Sequence, residues 1–245
     1  MPDSDASHLY RALKQEWAKG DSLDRDRVRS LLASFKGELA HLGLLFPDSS
    51  ALDTAALTTA REVLELGALF SVRTDDIPSF ERYLSLLSTY YNDLASTLPA
   101  SDNEAPLVAL SLLRLLSQNR IAEFHTVLET LEGKKVVDSI EVAWVMQLER
   151  SLMEGSYSRV WSLCRPSSSA PSASSPSSSL PLREFAHLTP PLLATVRAEI
   201  AACDERAYAS LPLRDAKTLL FFETDDEVKA FAAQAVPPYS ARKLN

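Results

Sequence analysis

The stretch "LLSQNRIAEFHTVLE", Leu115 to Glu129, holds four side chains that do chemistry in many enzymes: Ser117, Asn119, Glu123 and His125. A histidine oriented by a carboxylate can act as a general base, and a serine within its reach becomes a nucleophile. The spacing argues against that use. Glu123 and His125 are two positions apart, and on a helix such neighbours do not face one another. A partly buried structural histidine fits better. The remaining histidines, His8, His41 and His187, lie far apart, and no two of the four stand at metal-ligand spacing. Cys164 and Cys203 form no CxxC pair and read as small apolar residues of a reducing compartment. Phosphate loops of the Walker type, HExxH, GxSxG and GxGxxG are all missing. The expectation is a protein with no catalytic group, no cofactor and no metal.

The elements that position these residues are helices. Only six of 245 residues are glycine, and apolar residues recur at three- and four-residue spacing nearly throughout. Ser22 precedes a face of Val28, Leu31, Phe35, Leu39 and Leu42, stopped by Pro47. Asp53 starts a second, with Leu57, Ala60, Leu64, Ala68 and Val72, and a third runs from about Pro78 towards Leu98. The third then finds relatives within the chain. Ile77, Phe80 and Leu84 align with Ile121, Phe124 and Leu128, and again with Tyr157, Val160 and Cys164; all of them but Cys164 are expected in the repeat core. Polar joints precede each: "RTDD", "SQNR" and "MEGS". One unit, a helix, a tight turn and a second helix, thus recurs irregularly at roughly forty residues, as in TPR-like solenoids. Ser117 and Asn119 then belong to a turn, and Glu123 and His125 flank a buried Phe124.

"PSSSAPSASSPSSS" follows Arg165, nine serines, three prolines and two alanines in fourteen residues. It offers no large apolar side chain to offset its ordering entropy and reads as a disordered loop. Beyond it, Thr189-Pro190 reads as a helix start, "LPLRDAKTLLFF" as a second helix, and "TDDEVKAFAAQA" as a third opened by a Thr224–Glu227 capping box. The three suggest a helix-turn-helix core, with no evident strands for a wing. In the third helix Asp225, Asp226 and Glu227 face the single Lys229, the wrong sign for reading phosphates. The net charge of −8 likewise disfavours nucleic acid and anionic lipid. No uncharged apolar run is long enough to cross a membrane, and the acidic start does not read as a secretory signal. Tyr83, Tyr90 and Tyr91, which cannot share one helical face, and Val228 and Phe231 on the apolar side of the last helix are candidate partner contacts.

Five blocks carry a resemblance: "DDIPSFERYLSLLSTYY", "LLSQNRIAEFHTVLE", "SLMEGSYSRVW", "VRAEIAACDERAY" and "AKTLLFF". In this order they resemble the non-ATPase regulatory subunit 8 family of the proteasome, within the PCI class shared with the signalosome and translation initiation factor three. The resemblance implies a nearly all-α chain: a helical-repeat solenoid over 1–165, then, beyond the serine-rich loop over 166–180 at which the family is compact, a helical linker and the winged-helix-like part of a PCI module over 181–236, and a flexible tail over 237–245. It implies a scaffold subunit of the regulatory-particle lid in ubiquitin-dependent proteolysis, hetero-oligomeric with other lid and base subunits, in cytoplasm and nucleus. Members continue past the "LFF" block through a wing hairpin and a terminal helix, so a truncated wing is expected here. A PCI subunit of the signalosome or of the initiation factor, and a free helical-repeat adaptor, are the alternatives.

Overall fold

Each aligned joint is a helix-ending turn of the same geometry. In the computed structural model, which describes residues 3–20, 24–44, 54–95, 97–164 and 180–235, three successive helix pairs are joined by tight turns: α3 (Thr54–Arg73) with α4 (Ile77–Asn92), α5 (Glu104–Ser117) with α6 (Ile121–Thr130), and α7 (Ile140–Met153) with α8 (Tyr157–Cys164). The second helices begin at the aligned Ile77, Ile121 and Tyr157. Two residues earlier, Asp75, Asn119 and Gly155 take positive φ of 54°, 57° and 68°. One residue later, an N–H reaches five residues back: Asp76 to Ser71 at 2.9 Å, Arg120 to Leu115 at 3.0 Å, Ser156 to Ser151 at 2.9 Å. That is the Schellman pattern, which satisfies carbonyls left bare at a helix end. The other helices are α1 (Asp3–Trp17), α2 (Arg25–His41), α9 (Phe185–Ala207), α10 (Leu213–Leu219) and α11 (Asp225–Ala235). Among the described residues every regular element is helical. The serine-rich segment up to 179 and the tail over 237–245 lie outside the described residues.

The chain divides into two compact units, Met1–Ser111 and Leu112–Asn245. The first is built round α3, whose residues are buried on every side from Leu57 to Val72 with few interruptions. A helix buried all round must be central, and here α2 and α4 pack on it while Lys14 of α1 pairs with Glu62 at 2.9 Å. α2 buries Val28, Leu32, Phe35 and Leu39. Leu31 is half-buried and Leu42 exposed, because adjacent leucines leave the face ambiguous and Leu42 already lies past the helix end. α4 starts under Asp76, whose carboxylate accepts the Ser79 N–H at 3.2 Å, and ends at Asn92 rather than near Leu98.

In the second unit α7 packs on α8 and α8 on α9. The core contains Phe124, Val142, Val145, Leu148, Val160 and Phe185, with Trp144 stacked on Phe185 at 5.0 Å. α9 begins at Phe185, before the expected Thr189-Pro190, and carries both prolines inside. Pro190 leaves the Ala186 carbonyl without its helical donor, and the Thr189 hydroxyl reaches that carbonyl instead at 3.5 Å. α10 and α11 pack on each other, and the capping box forms: the Glu227 N–H donates to Thr224 Oγ1 at 3.3 Å while Glu227 Oε2 accepts the Thr224 N–H at 3.3 Å.

Candidate functional site

The four side chains of the α5–α6 joint each engage a different partner. The Ser117 hydroxyl donates to the Arg114 carbonyl at 2.7 Å, within its own helix. Asn119 uses its left-handed backbone for the turn and its amide to reach Glu199 of α9 at 3.1 Å. Glu123 accepts from Arg120 Nε at 2.7 Å. His125 is about half exposed rather than partly buried, its Nε2 3.3 Å from Glu149 Oε1 and its ring edge-on to Phe124, centres 5.4 Å apart. Thr195 of α9 donates to the Ser117 carbonyl at 2.8 Å, so α9 fastens the joint from outside. The arrangement does structural work: it turns the chain and anchors the turn.

The aligned residues divide by burial. Phe80, Phe124 and Val160 are wholly buried, while Ile77, Leu84, Ile121, Leu128 and Tyr157 are half-buried. The residue three positions into each second helix points into the core, joined in the third pair by the aligned Cys164, while the five half-buried residues lie outside the core expected for them.

The tyrosines of α4 are engaged within the first unit. Tyr83 is buried with its ring against α3 at Gly67, where a Cβ would come within 2.5 Å of Cζ. The Lys36 ammonium lies 4.0 Å from the centre of the same ring. Burial lowers the Lys36 pKa, with Arg82 adding to the effect. Tyr90 is buried and donates to the Leu44 carbonyl. Burial pushes the hydroxyls of Tyr83 and Tyr90 up to about 12, and that of Tyr91 higher still, where the Glu65 charge adds to burial. Val228 is buried and Phe231 half-buried, its ring 5.5 Å from Phe222.

Two constellations carried no sequence signal. Glu65 in mid-α3 is fully buried and accepts from the Tyr91 hydroxyl at 2.8 Å, the Ser101 hydroxyl at 2.6 Å and the Asn103 amide at 3.0 Å. Arg61, one turn earlier, has Nε 3.5 Å from the same carboxylate and donates through Nη1 to the Pro99 carbonyl at 2.6 Å. These donors compensate the burial of the carboxylate, and the cluster fastens Pro99, Ser101 and Asn103 onto α3. The second is Arg197 of α9, between the rings of Trp161 and Phe222. Their partners lie tens of residues away, and no periodic pattern marks them. Among the described residues no three His, Cys, Asp or Glu side chains gather as a metal site would need, and no helix is long and apolar enough to cross a membrane.

Residues 102–235 match the model of a family described as CSN8/PSMD8/EIF3K. The chain is 36% identical to the "26S proteasome regulatory subunit rpn12" of Schizosaccharomyces pombe, over 87% of this chain and 73% of that one. It is 36% identical to the "26S proteasome regulatory subunit RPN12" of Saccharomyces cerevisiae over 93% of this chain and 80% of that one. With the "26S proteasome non-ATPase regulatory subunit 8 homolog A" of Arabidopsis thaliana it shares 32% identity over 98% and 84%.

Proposed function

The chain belongs to the CSN8/PSMD8/EIF3K family, and from that premise we propose that it is a regulatory subunit of the 26S proteasome, a scaffold in the lid that works without catalysing a reaction. The observation that carries this is the extent of the likeness: the relatives bearing proteasome names align with 87–98% of the chain, spanning both compact units. The geometry supports it. Ser117, Asn119, Glu123 and His125 are tied to four separate partners, so nucleophile and base are not assembled. Its partners are other lid and base subunits, its assembly hetero-oligomeric, and its place the cytoplasm and nucleus in ubiquitin-dependent degradation. The helical-repeat part ends near 165, and residues 181–236 form the winged-helix-like part of a PCI module. Of the candidate contacts, Tyr91 and Phe231 keep part of their side chains in solvent and are the ones left to meet a partner.

The test is affinity purification of the tagged chain from its own cells, followed by native mass measurement. A megadalton particle containing proteasome subunits is the expected result. Recovery with signalosome or initiation-factor subunits, or with small client proteins alone, overturns the reading.

A further inference from the structure

The carbonyls beyond the last turn of α10 find a donor on another helix. Arg197, midway along α9, donates from Nε to the Leu220 carbonyl at 3.1 Å and from Nη2 to the Phe221 carbonyl at 3.3 Å. Leu220 is the C-cap of α10, where a helix supplies no N–H of its own and a cation complements the dipole. The same guanidinium lies between two rings, 4.5 Å from the centre of Trp161 on α8 and 4.3 Å from that of Phe222. Trp161 in turn stacks on Phe221, centres 5.0 Å apart and planes within 12°. Phe222 passes the contact on to Phe231 of α11. One flat cation therefore joins α8, α9 and the turn between α10 and α11.

Three further observations give this joint a direction. Phe221 has a φ of +55°, a left-handed conformation costly for a bulky side chain and sustained only where the surroundings insist on it. Here the helix-ending turn supplies part of that, with the Phe222 N–H reaching the Lys217 carbonyl at 3.1 Å, and the Trp161 stack and the hydrogen bond from Arg197 to the Phe221 carbonyl supply the rest. Among the described residues no carboxylate lies within ion-pair distance of Arg197. Burial opposes its charge, and Glu227 on α11 acts through space to favour it. Finally, α11 is anchored to the same turn, since Glu227 Oε2 accepts the N–H groups of Glu223 and Thr224 at 3.2 and 3.3 Å.

We propose that Arg197 is a latch: its planar charged head holds the α10–α11 pair against α8 and α9, and its loss frees that pair as a unit while α7 stays folded. The chemistry requires a guanidinium. Lysine offers a compact, strongly hydrated charge, which cannot lie against two rings and reach two carbonyls together.

Hydrogen exchange of the whole chain tests this, comparing wild type with Arg197→Met, Arg197→Lys and Phe222→Leu. Amides of residues 213–233 should exchange about tenfold faster or more in both Arg197 variants, and about threefold faster in Phe222→Leu, while those of 140–153 keep wild-type rates. Three results overturn the latch: unchanged exchange over 213–233 in Arg197→Met, equal acceleration over 140–153, or full rescue by lysine. Should both Arg197 variants fail to fold, Phe222→Leu decides alone, and unchanged rates over 213–233 refute the proposal. The measurement is made on the isolated chain, so its outcome is independent of assembly into a proteasome.

Discussion

Replacing Gly67 by alanine reverses an ordinary expectation. Gly67 is in the interior of α3, where a glycine-to-alanine change normally gains up to about 1 kcal/mol of helix propensity. Its φ is not in the left-handed region, so no backbone constraint requires glycine there. What requires it is Tyr83: a Cβ at 67 would lie 2.5 Å from Cζ, 2.6 Å from Cε1 and 2.8 Å from the hydroxyl oxygen. The ring cannot withdraw freely, since it is only 4% exposed and packed beneath Lys36. Overpacking of this kind costs about 1–3 kcal/mol. Gly67→Ala should therefore lower the melting temperature by several degrees, at about 2–4 °C per kcal/mol for a chain of this size. In a Tyr83→Leu background the obstruction is gone, and the same substitution should become neutral or stabilising. Gly37→Ala is the control, since nothing lies within 4 Å of its added carbon, and it should stabilise. Thermal melts of the four-member cycle give the coupling directly. A Gly67→Ala protein as stable as wild type with Tyr83 in place would refute the close approach.

Phe124→Ala removes a wholly buried ring and should destabilise by about 3–5 kcal/mol, whereas His125→Ala breaks only a half-exposed pair and should cost about 1 kcal/mol or less; equal shifts in denaturant midpoint would contradict the assignment. Gly155→Ala places a side chain at a φ of +68° and should cost about 1–2 kcal/mol by the same measurement. Because Tyr83 and Tyr90 are raised to about 12 when folded, against about 10 when unfolded, their contribution is complete below pH 10 and is lost as pH rises towards 12. Stability should fall across that window, and phenolate absorbance at pH 11 should rise on adding denaturant; no rise would show that these hydroxyls already ionise in the folded chain.

The helix pairs were legible because everything that defines them is local. The Schellman turns at Asp75, Asn119 and Gly155 are made within six residues, and the aligned Phe80, Phe124 and Val160 follow at fixed spacing. The Thr224–Glu227 box could be read for the same reason. Legibility failed where two local choices were nearly equal. Leu31 and Leu32 are adjacent and alike, and only tertiary packing selects Leu32 for the core. Pro190 read as a helix start because a proline inside a helix is unusual, yet α9 begins five residues earlier and carries it inside.

Composition and periodicity thus determined an all-helical chain and where its joints fall, since backbone hydrogen bonding and the 3.6-residue period act over a few neighbours. The tertiary structure alone decided that Gly67 makes room for Tyr83, that a buried Glu65 gathers Tyr91, Ser101 and Asn103, and that Arg197 lies between Trp161 and Phe222. These contacts join residues between 16 and 38 positions apart. At such separations a side chain's partner is set by how helices pack, and a charged or polar residue in mid-helix looks the same in sequence whether it meets water, a carboxylate or a ring.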